Sequence, residues 1–267
     1  MFKFNIVNND YEITKAPVLN LKEKLLEKGH IIDEKNPEYV FIIGGDGTFL
    51  KAVRLYQEKL DLVNFVPFKF GGIGFYTNKN DLKQIDMIID KLEKNDLFNL
   101  TYQLLEVENG PTTHYVVNEI RILNEKKPLY VKVFINDEYL ETFHGTGLVV
   151  STSTGSTGYI KSAGGSVVLP KNSGLYQIQE LVPVSTNRFR TLNSPIILND
   201  SYYVKLEFET EQEVLICDTH VTEVHGTILN IKVSNKKIKV LSHKDPKSMS
   251  EINILREIFI IDKKEVE

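Results

Sequence analysis

The sequence contains no tryptophan and only one cysteine, Cys217, which excludes an intrachain disulfide and a cysteine-built zinc site. A lone thiol fits a reducing compartment, so the cytoplasm is the expected setting. An excess of one charge is also missing: 32 Lys and Arg face 36 Asp and Glu, and the net charge of -4 is interspersed. Without a concentrated basic face, no nucleic-acid partner is expected. Long apolar runs are absent. Met1-Phe2-Lys3-Phe4-Asn5-Ile6-Val7 stops at Asn8-Asn9-Asp10, too soon for a signal peptide, and nothing approaches the roughly 20 apolar residues of a membrane span. Internal repeats and long linkers are lacking too. What is present is a chain of 267 residues, 42% hydrophobic, enough for one large or two ordinary domains with real cores.

Two textures divide it. Up to about residue 98, short apolar runs alternate with helical patterns, as in α/β folds. Phe2, Phe4 and Ile6 alternate as in a strand; Leu21, Leu25 and Lys28 keep a helical spacing that Gly29 can end; Val40–Ile43 reads as a buried strand. Phe49, Val53, Tyr56 and Leu60 then fall on one helical face, as do Leu82, Ile85, Ile89 and Leu92 behind the N-cap candidate Asp81. Beyond residue 98, strands are expected at Leu100–Val107, His114–Leu123, Leu129–Ile135, Tyr139–Phe143, Tyr202–Phe208, Val214–Cys217, Ile228–Val233 and Ile238–Leu241, with Asn136-Asp137 as a hairpin turn. The expected organisation is an α/β domain over residues 1-98, completed by a returning strand at Ile254–Ile261 within 252-267, and an antiparallel β domain over 99-251.

Gly44-Gly45-Asp46-Gly47-Thr48 follows the buried strand and opens a helix, so exposed backbone N–H groups and the positive helix end suit a phosphate. A carboxylate beside such a ligand repels it unless it takes a proton from a hydroxyl or helps to hold a metal, which makes Asp46 a candidate general base; the bland alternative is an Asp-Gly turn. No Gly-Lys-Ser/Thr follows, so this is not a Walker A loop. Phe70-Gly71-Gly72-Ile73-Gly74-Phe75-Tyr76-Thr77 repeats the glycine theme and offers Phe75 and Tyr76 either to a nucleobase or to the core. Asn118-Glu119 sets an amide and a carboxylate inside an apolar run, on opposite faces unless the strand is broken. The run Thr152-Ser153-Thr154-Gly155-Ser156-Thr157-Gly158-Tyr159, continuing through Lys161-Ser162-Ala163-Gly164-Gly165, is rich in hydroxyls and glycines that suit a polar, phosphate-bearing ligand. His220 and His225 make no metal set with one cysteine.

Taken in order, Gly44 to Thr48, Asn118-Glu119 and the block from Gly145 to Gly165 resemble the three defining motifs of bacterial NAD kinases, and the similarity continues through Asn187-Arg188-Phe189-Arg190-Thr191 and Ser194-Pro195. The first motif alone is shared with kinases acting on sugars and lipids; the hydroxyl-glycine block is not. The resemblance implies the NAD kinase/diacylglycerol kinase-like fold, an α/β N-terminal domain plus an all-β C-terminal domain, and transfer of a phosphoryl group to the 2′-hydroxyl of the adenosine ribose of NAD. ATP or polyphosphate would be the donor, carrying Mg2+ or another divalent cation, with Asp46 as base. By the same resemblance Gly47, Asn118, Glu119, His144, Thr154, Thr157, Gly158, Tyr159, Lys161, Ser162 and Thr219 contact substrate, Phe75 and Tyr76 line the adenosine, and Pro183 and Ser185 face a neighbour's ligand in a homodimer or homotetramer. Thr146 stands where the family usually has aspartate, and Gly158 where it usually has alanine. The lost carboxylate at Thr146 motivates a catalytically weak dinucleotide sensor as a rival reading, and a lipid or sugar kinase is another.

Overall fold

The computed structural model describes residues 1–70, 74–124, 126–185, 187, 190–209, 213–248 and 250–260. Met1–Thr101 and the segment from Ile238 onward form one compact unit, Tyr102–Lys237 a second.

The first unit is a parallel α/β sheet. Its elements are β1 (Lys3–Asn8), α1 (Glu12–Glu27), β2 (Ile31–Ile32), β3 (Tyr39–Gly44), α2 (Asp46–Leu55), β4 (Asn64–Lys69) and α3 (Ile85–Glu93). The strand order is β2-β1-β3-β4, and residues 239–240 extend it beyond β4 in parallel register. Val40 to Ile43 are wholly buried, as a strand covered on both faces requires. Phe4, Phe41, Phe68, Leu21, Leu25, Ile88 and Ile89 form a core in which each buried side chain contributes roughly 1.5–3 kcal/mol. Gly29 ends α1 at a φ of 81°, and the Asp81 side chain accepts from the Lys83 N–H at 2.9 Å ahead of α3.

The second unit is antiparallel: β5 (Phe98–Asn109, entering from the first unit), β6 (Thr112–Val116), β7 (Glu119–Leu123), β8 (Leu129–Ile135), β9 (Glu138–Thr152), the one-turn helix α4 (Tyr159–Ser162), β10 (Tyr176–Pro183), β11 (Ile196–Leu198), β12 (Tyr203–Phe208), β13 (Val214–Cys217), β14 (His220–Thr222) and β15 (Ile228–Ser242, which returns to the first unit). β9 organises it, pairing with β8 along its first half and with β7 and β10 along its second. Its hairpin with β8 turns at Asn136 and Asp137, both at positive φ (49° and 62°), as a two-residue turn matched to strand twist demands.

Several expectations are corrected. The run His114–Leu123 is two strands broken at Val117-Asn118. The short strand at Tyr139–Phe143 is part of a 15-residue β9 that delivers the hydroxyl run. Ile228–Val233 and Ile238–Leu241 are one strand, because the polar residues between them are accommodated: Ser234 is buried and its hydroxyl donates to Glu106 Oε2 at 3.2 Å. Ile254–Ile261 is not a strand. Ser250 Oγ accepts from the Asn253 N–H at 3.3 Å and caps α5 (Glu251–Phe259), leaving Ile261 outside the described residues. Among the described residues no helix is long and apolar enough to cross a membrane.

Candidate active site

In the first unit, β3 ends in Gly44 because a Cβ there would stand 2.3 Å from Thr48 Oγ1, on the first turn of α2. Gly45 is the N-cap and Asp46 the first helical residue, where a carboxylate complements the helix dipole. Asp46 is half-buried and bound from outside its helix: Oδ2 accepts from the Phe75 N–H at 2.9 Å, Oδ1 from the Tyr76 N–H at 2.8 Å and the Thr77 N–H at 3.3 Å. One carboxylate thus orders the turn after Gly74. Gly71, Gly72 and Ile73 of the same glycine stretch lie outside the described residues. The Tyr76 ring is buried flat against Phe49, centroids 4.8 Å apart and 3° from parallel, whereas Phe75 is half-buried with its ring edge-on to Tyr76. Gly47 is exposed, with nothing within 4 Å of a Cβ built there.

In the second unit another aspartate plays the equivalent part. Asp218, at a φ of 54° between β13 and β14, accepts from the Val117 N–H at 3.0 Å and from the Asn118 and Glu119 N–H groups at 2.6 and 3.3 Å. This clamp breaks the strand before Glu119, so Asn118 sits in a bend and Glu119 opens β7. The Asn118 carbonyl accepts from the Thr152 N–H (2.9 Å) and the Ser151 hydroxyl (3.0 Å). Gly155 presses on the same peptide, since a Cβ there would lie 2.2 Å from Asn118 O. That contact fixes glycine at this point of the run.

Glu119 is 5% exposed, and its Oε2 is buried with no hydrogen-bond partner among the described residues. Burial, then the nearby Asp218 charge, push its carboxyl up to about 7 against the pull of Arg121. Burial likewise lifts Asp218 to about 6, although its three N–H donors oppose the shift. The Arg121 guanidinium donates to Asp218 O at 2.9 Å, lies 3.8 Å from Glu119 Oε1 and covers the Tyr159 ring at 4.5 Å. Tyr159, Glu119 and Arg121 are therefore one polar cluster, and Gly158 lies over it, its notional Cβ 3.5 Å from Glu119 Oε2.

Most hydroxyls of the run turn inward. Thr152 donates to Val117 O (2.7 Å), Ser153 and Thr154 to Lys171 O (2.6 and 2.8 Å), and Ser156 to Ser153 O (2.6 Å). Thr154 is 1% exposed, and Thr157 closes the same helical turn half-buried. The outward residues are Gly158, Tyr159, Lys161 and Ser162. Thr146, Tyr159 and Ser162 line one cavity of about 460 Å³ with Leu123, Ala163, Leu181 and Val182. At its rim Val182 holds a φ of 47°, a strained conformation for a β-branched residue. His144 stacks on Tyr130 (4.2 Å), and its carbonyl accepts from the Val184 N–H, placing it beside Pro183 and the exposed Ser185; Thr219 is exposed in the turn after Asp218. Arg188 and Phe189 lie outside the described residues. Among the described residues no group of three His, Cys, Asp or Glu could hold a metal ion.

Residues 117–243, from the Asp218-clamped bend to just past β15, match the family model of the ATP-NAD kinase C-terminal domain. An NAD kinase of Lactobacillus acidophilus is 36% identical over 246 residues, 90% of this chain and 89% of that one. The chain belongs to the NAD kinase family. Membership extends to an NAD kinase of Limosilactobacillus reuteri (36% identical, covering 88% of this chain and 91% of that one) and NAD kinase 1 of Bacillus cereus (33%, 89% and 92%). The fold is shared with yeast NADH kinase complexed with NADH (TM-score 0.82, 17% identical, 98% of this chain and 88% of that one). It is shared also with an NAD kinase from Archaeoglobus fulgidus in complex with ATP (TM-score 0.75, 18% identical, 96% and 99%). The expected α/β N-terminal part and β-rich C-terminal part are the architecture of this family.

Sequence reading passed over Asp218 and Arg121 as site residues. Arg121 had a signal: at two residues from Glu119 on a strand, it shares that residue's face.

Proposed function

We propose that this protein phosphorylates the 2′-hydroxyl of the adenosine ribose of NAD, giving NADP, with ATP or polyphosphate as donor and Mg2+ carried on the donor. Asp46 carries the reading. A carboxylate has about four acceptor positions; three are filled by the N–H groups of residues 75–77, which fix its orientation and leave capacity for a hydroxyl. The ribose oxygen attacks the terminal phosphorus, the bond to the departing phosphate chain breaks, and the hydroxyl proton passes to Asp46. Mg2+ arriving with the donor would supply charge neutralisation at the phosphate oxygens.

The second unit is the NAD-binding and self-associating part. Glu119 Oε2, buried without a partner, calls for a donor from outside the chain, and a ligand amino group or ribose hydroxyl supplies one. Asn118, Thr157, Tyr159 and Ser162 join it. The apolar and hydroxyl lining around Thr146 suits an uncharged heteroaromatic amide. In a homodimer or homotetramer, Pro183 and Ser185 face the neighbour's ligand, a reading that light scattering of a strictly monomeric, fully active enzyme would refute. The setting is the cytoplasm.

The direct test supplies purified protein with NAD, Mg2+ and either ATP or polyphosphate and follows NADP. Formation of NADP with at least one donor is expected; none with either ends the reading.

A further inference from the structure

The turn pinned by Asp46 runs into Lys79. The Lys79 N–H donates to Thr77 O at 2.8 Å, and its carbonyl accepts from the Ser242 hydroxyl at 3.0 Å. The residue is only 6% exposed, yet among the described residues its ammonium has no hydrogen-bond or ion-pair partner. Burial lowers its pKa to about 8, so it stays charged at neutral pH; Asp46 and Glu251 oppose that shift and Lys244 adds to it. Lys244 donates to Asn78 Oδ1 at 2.6 Å, and burial, with a contribution from Lys69, holds its pKa below the usual lysine value against the pull of Asp81. The Lys69 stem in turn packs on Gly74, where a Cβ would be 2.6 Å from Lys69 Cδ. Lys79 on the turn, Lys69 at the end of β4 and Lys244 just after β15 therefore bring three cations to this turn, next to the carboxylate assigned as base and on the unit that carries the α2 N-terminus.

Holding an unpaired ammonium on a side chain that is almost wholly buried is unfavourable, and methionine would fill the same space without that cost. The arrangement becomes favourable when a polyanion arrives. We propose that Lys79, seconded by Lys244 and Lys69, binds the phosphate chain of the phosphoryl donor beside Asp46. The inference rests on the kinase reading above and deepens it: the recognised chemistry is a linear phosphoanhydride, common to nucleoside triphosphates and inorganic polyphosphate.

Lys79→Gln and Lys79→Met are compared with the parent protein by calorimetry, titrating Mg-ATP, tripolyphosphate and NAD separately, and by steady-state kinetics. Both variants are expected to bind Mg-ATP and tripolyphosphate at least tenfold more weakly and to show a matching rise in donor KM. NAD affinity should stay within twofold, and neither variant should melt below the parent, because an unpaired ammonium on a largely buried side chain has gone. Lys79→Arg should recover part of the donor affinity. Donor affinities within twofold of the parent in both variants overturn the proposal, as does a loss for ATP without one for tripolyphosphate, or an equal loss for NAD. Absence of NADP formation by the parent would instead refute the kinase reading, while the donor titrations still decide the role of Lys79.

Discussion

Replacing Asp46 by asparagine separates the clamp seen in the structure from the base role proposed for the same side chain. As general base its loss lowers the rate by roughly two to four orders of magnitude, about 2.7–5.4 kcal/mol of barrier. As a clamp it accepts from three N–H groups through two charged oxygens. Asparagine offers one carbonyl oxygen and turns an NH2 donor toward one of those N–H groups, so at least one charge-assisted bond is lost. The site is half-buried, and the expected loss of stability is about 1–3 kcal/mol. In a unit of this size that lowers the melting temperature by several degrees, about 2–4 °C per kcal/mol. Asp46→Asn should therefore melt measurably lower, remain folded at 25 °C, and turn over at least a hundredfold more slowly. Calorimetric melting and NADP formation are measured on one preparation, with circular dichroism to confirm the fold. A variant that melts lower but turns over within a few-fold of the parent refutes the base and leaves only the clamp. Slow turnover with an unchanged melt refutes the clamp energetics.

Three further outcomes follow from the second unit. Glu119 ionises near 4.5 in an unfolded chain and near 7 in the fold, so the native state holds its proton more tightly and the stability this proton confers, complete below pH 4.5, is lost as pH rises through 7. Glu119→Gln removes that loss and should stabilise the NAD-free protein at pH 8 relative to pH 5 by up to about 3 kcal/mol; urea melts showing no such gain would sink the assignment. Gly155→Ala drives a Cβ into the Asn118 carbonyl and should cost about 1–3 kcal/mol along with NAD affinity, whereas an equally stable variant with unchanged affinity would discredit the close contact. Thr146→Asp restores the carboxylate usual in the family and should tighten NAD binding by about 1 kcal/mol, roughly fivefold; weaker binding at both low and high salt would show that the position has been repurposed.

How legible this was in the sequence depended on whether the cause lay near in the chain. Period and caps are local, so the first unit could be read closely: Leu21 and Leu25 on α1, the Asp81 cap and the glycine turn into α2 appear where their spacing puts them. The Asn136-Asp137 hairpin was equally readable. β10 was not, because its period is hidden. Gln177, Gln179 and Glu180 are buried in a strand that reads as polar, and Gln177 tolerates burial only by exchanging hydrogen bonds with the Ser166 backbone at 2.7 and 2.9 Å. The hydroxyl run was recognised as a site marker, but sequence alone could not say that Thr152, Ser153, Thr154 and Ser156 bond the chain's own carbonyls and leave the outward face to Tyr159 and Ser162.

The two aspartate clamps show where local reading ends. In each, an irregular bend would leave successive backbone N–H groups facing one way, and only an acceptor-only side chain with two oxygens can take three of them at once. Asp46 does this from about 30 residues upstream and Asp218 from about 100 downstream, separations that no sequence window spans. Their surroundings differ. Burial lifts the Asp218 carboxyl to about 6, and its three bonds hold Asn118 and Glu119 in place. Asp46 makes its three bonds from the first residue of a helix, with Lys79 nearby. The same clamp geometry orders two unrelated bends, so the base role proposed for Asp46 rests on its place in the glycine turn into α2 and not on the clamp itself.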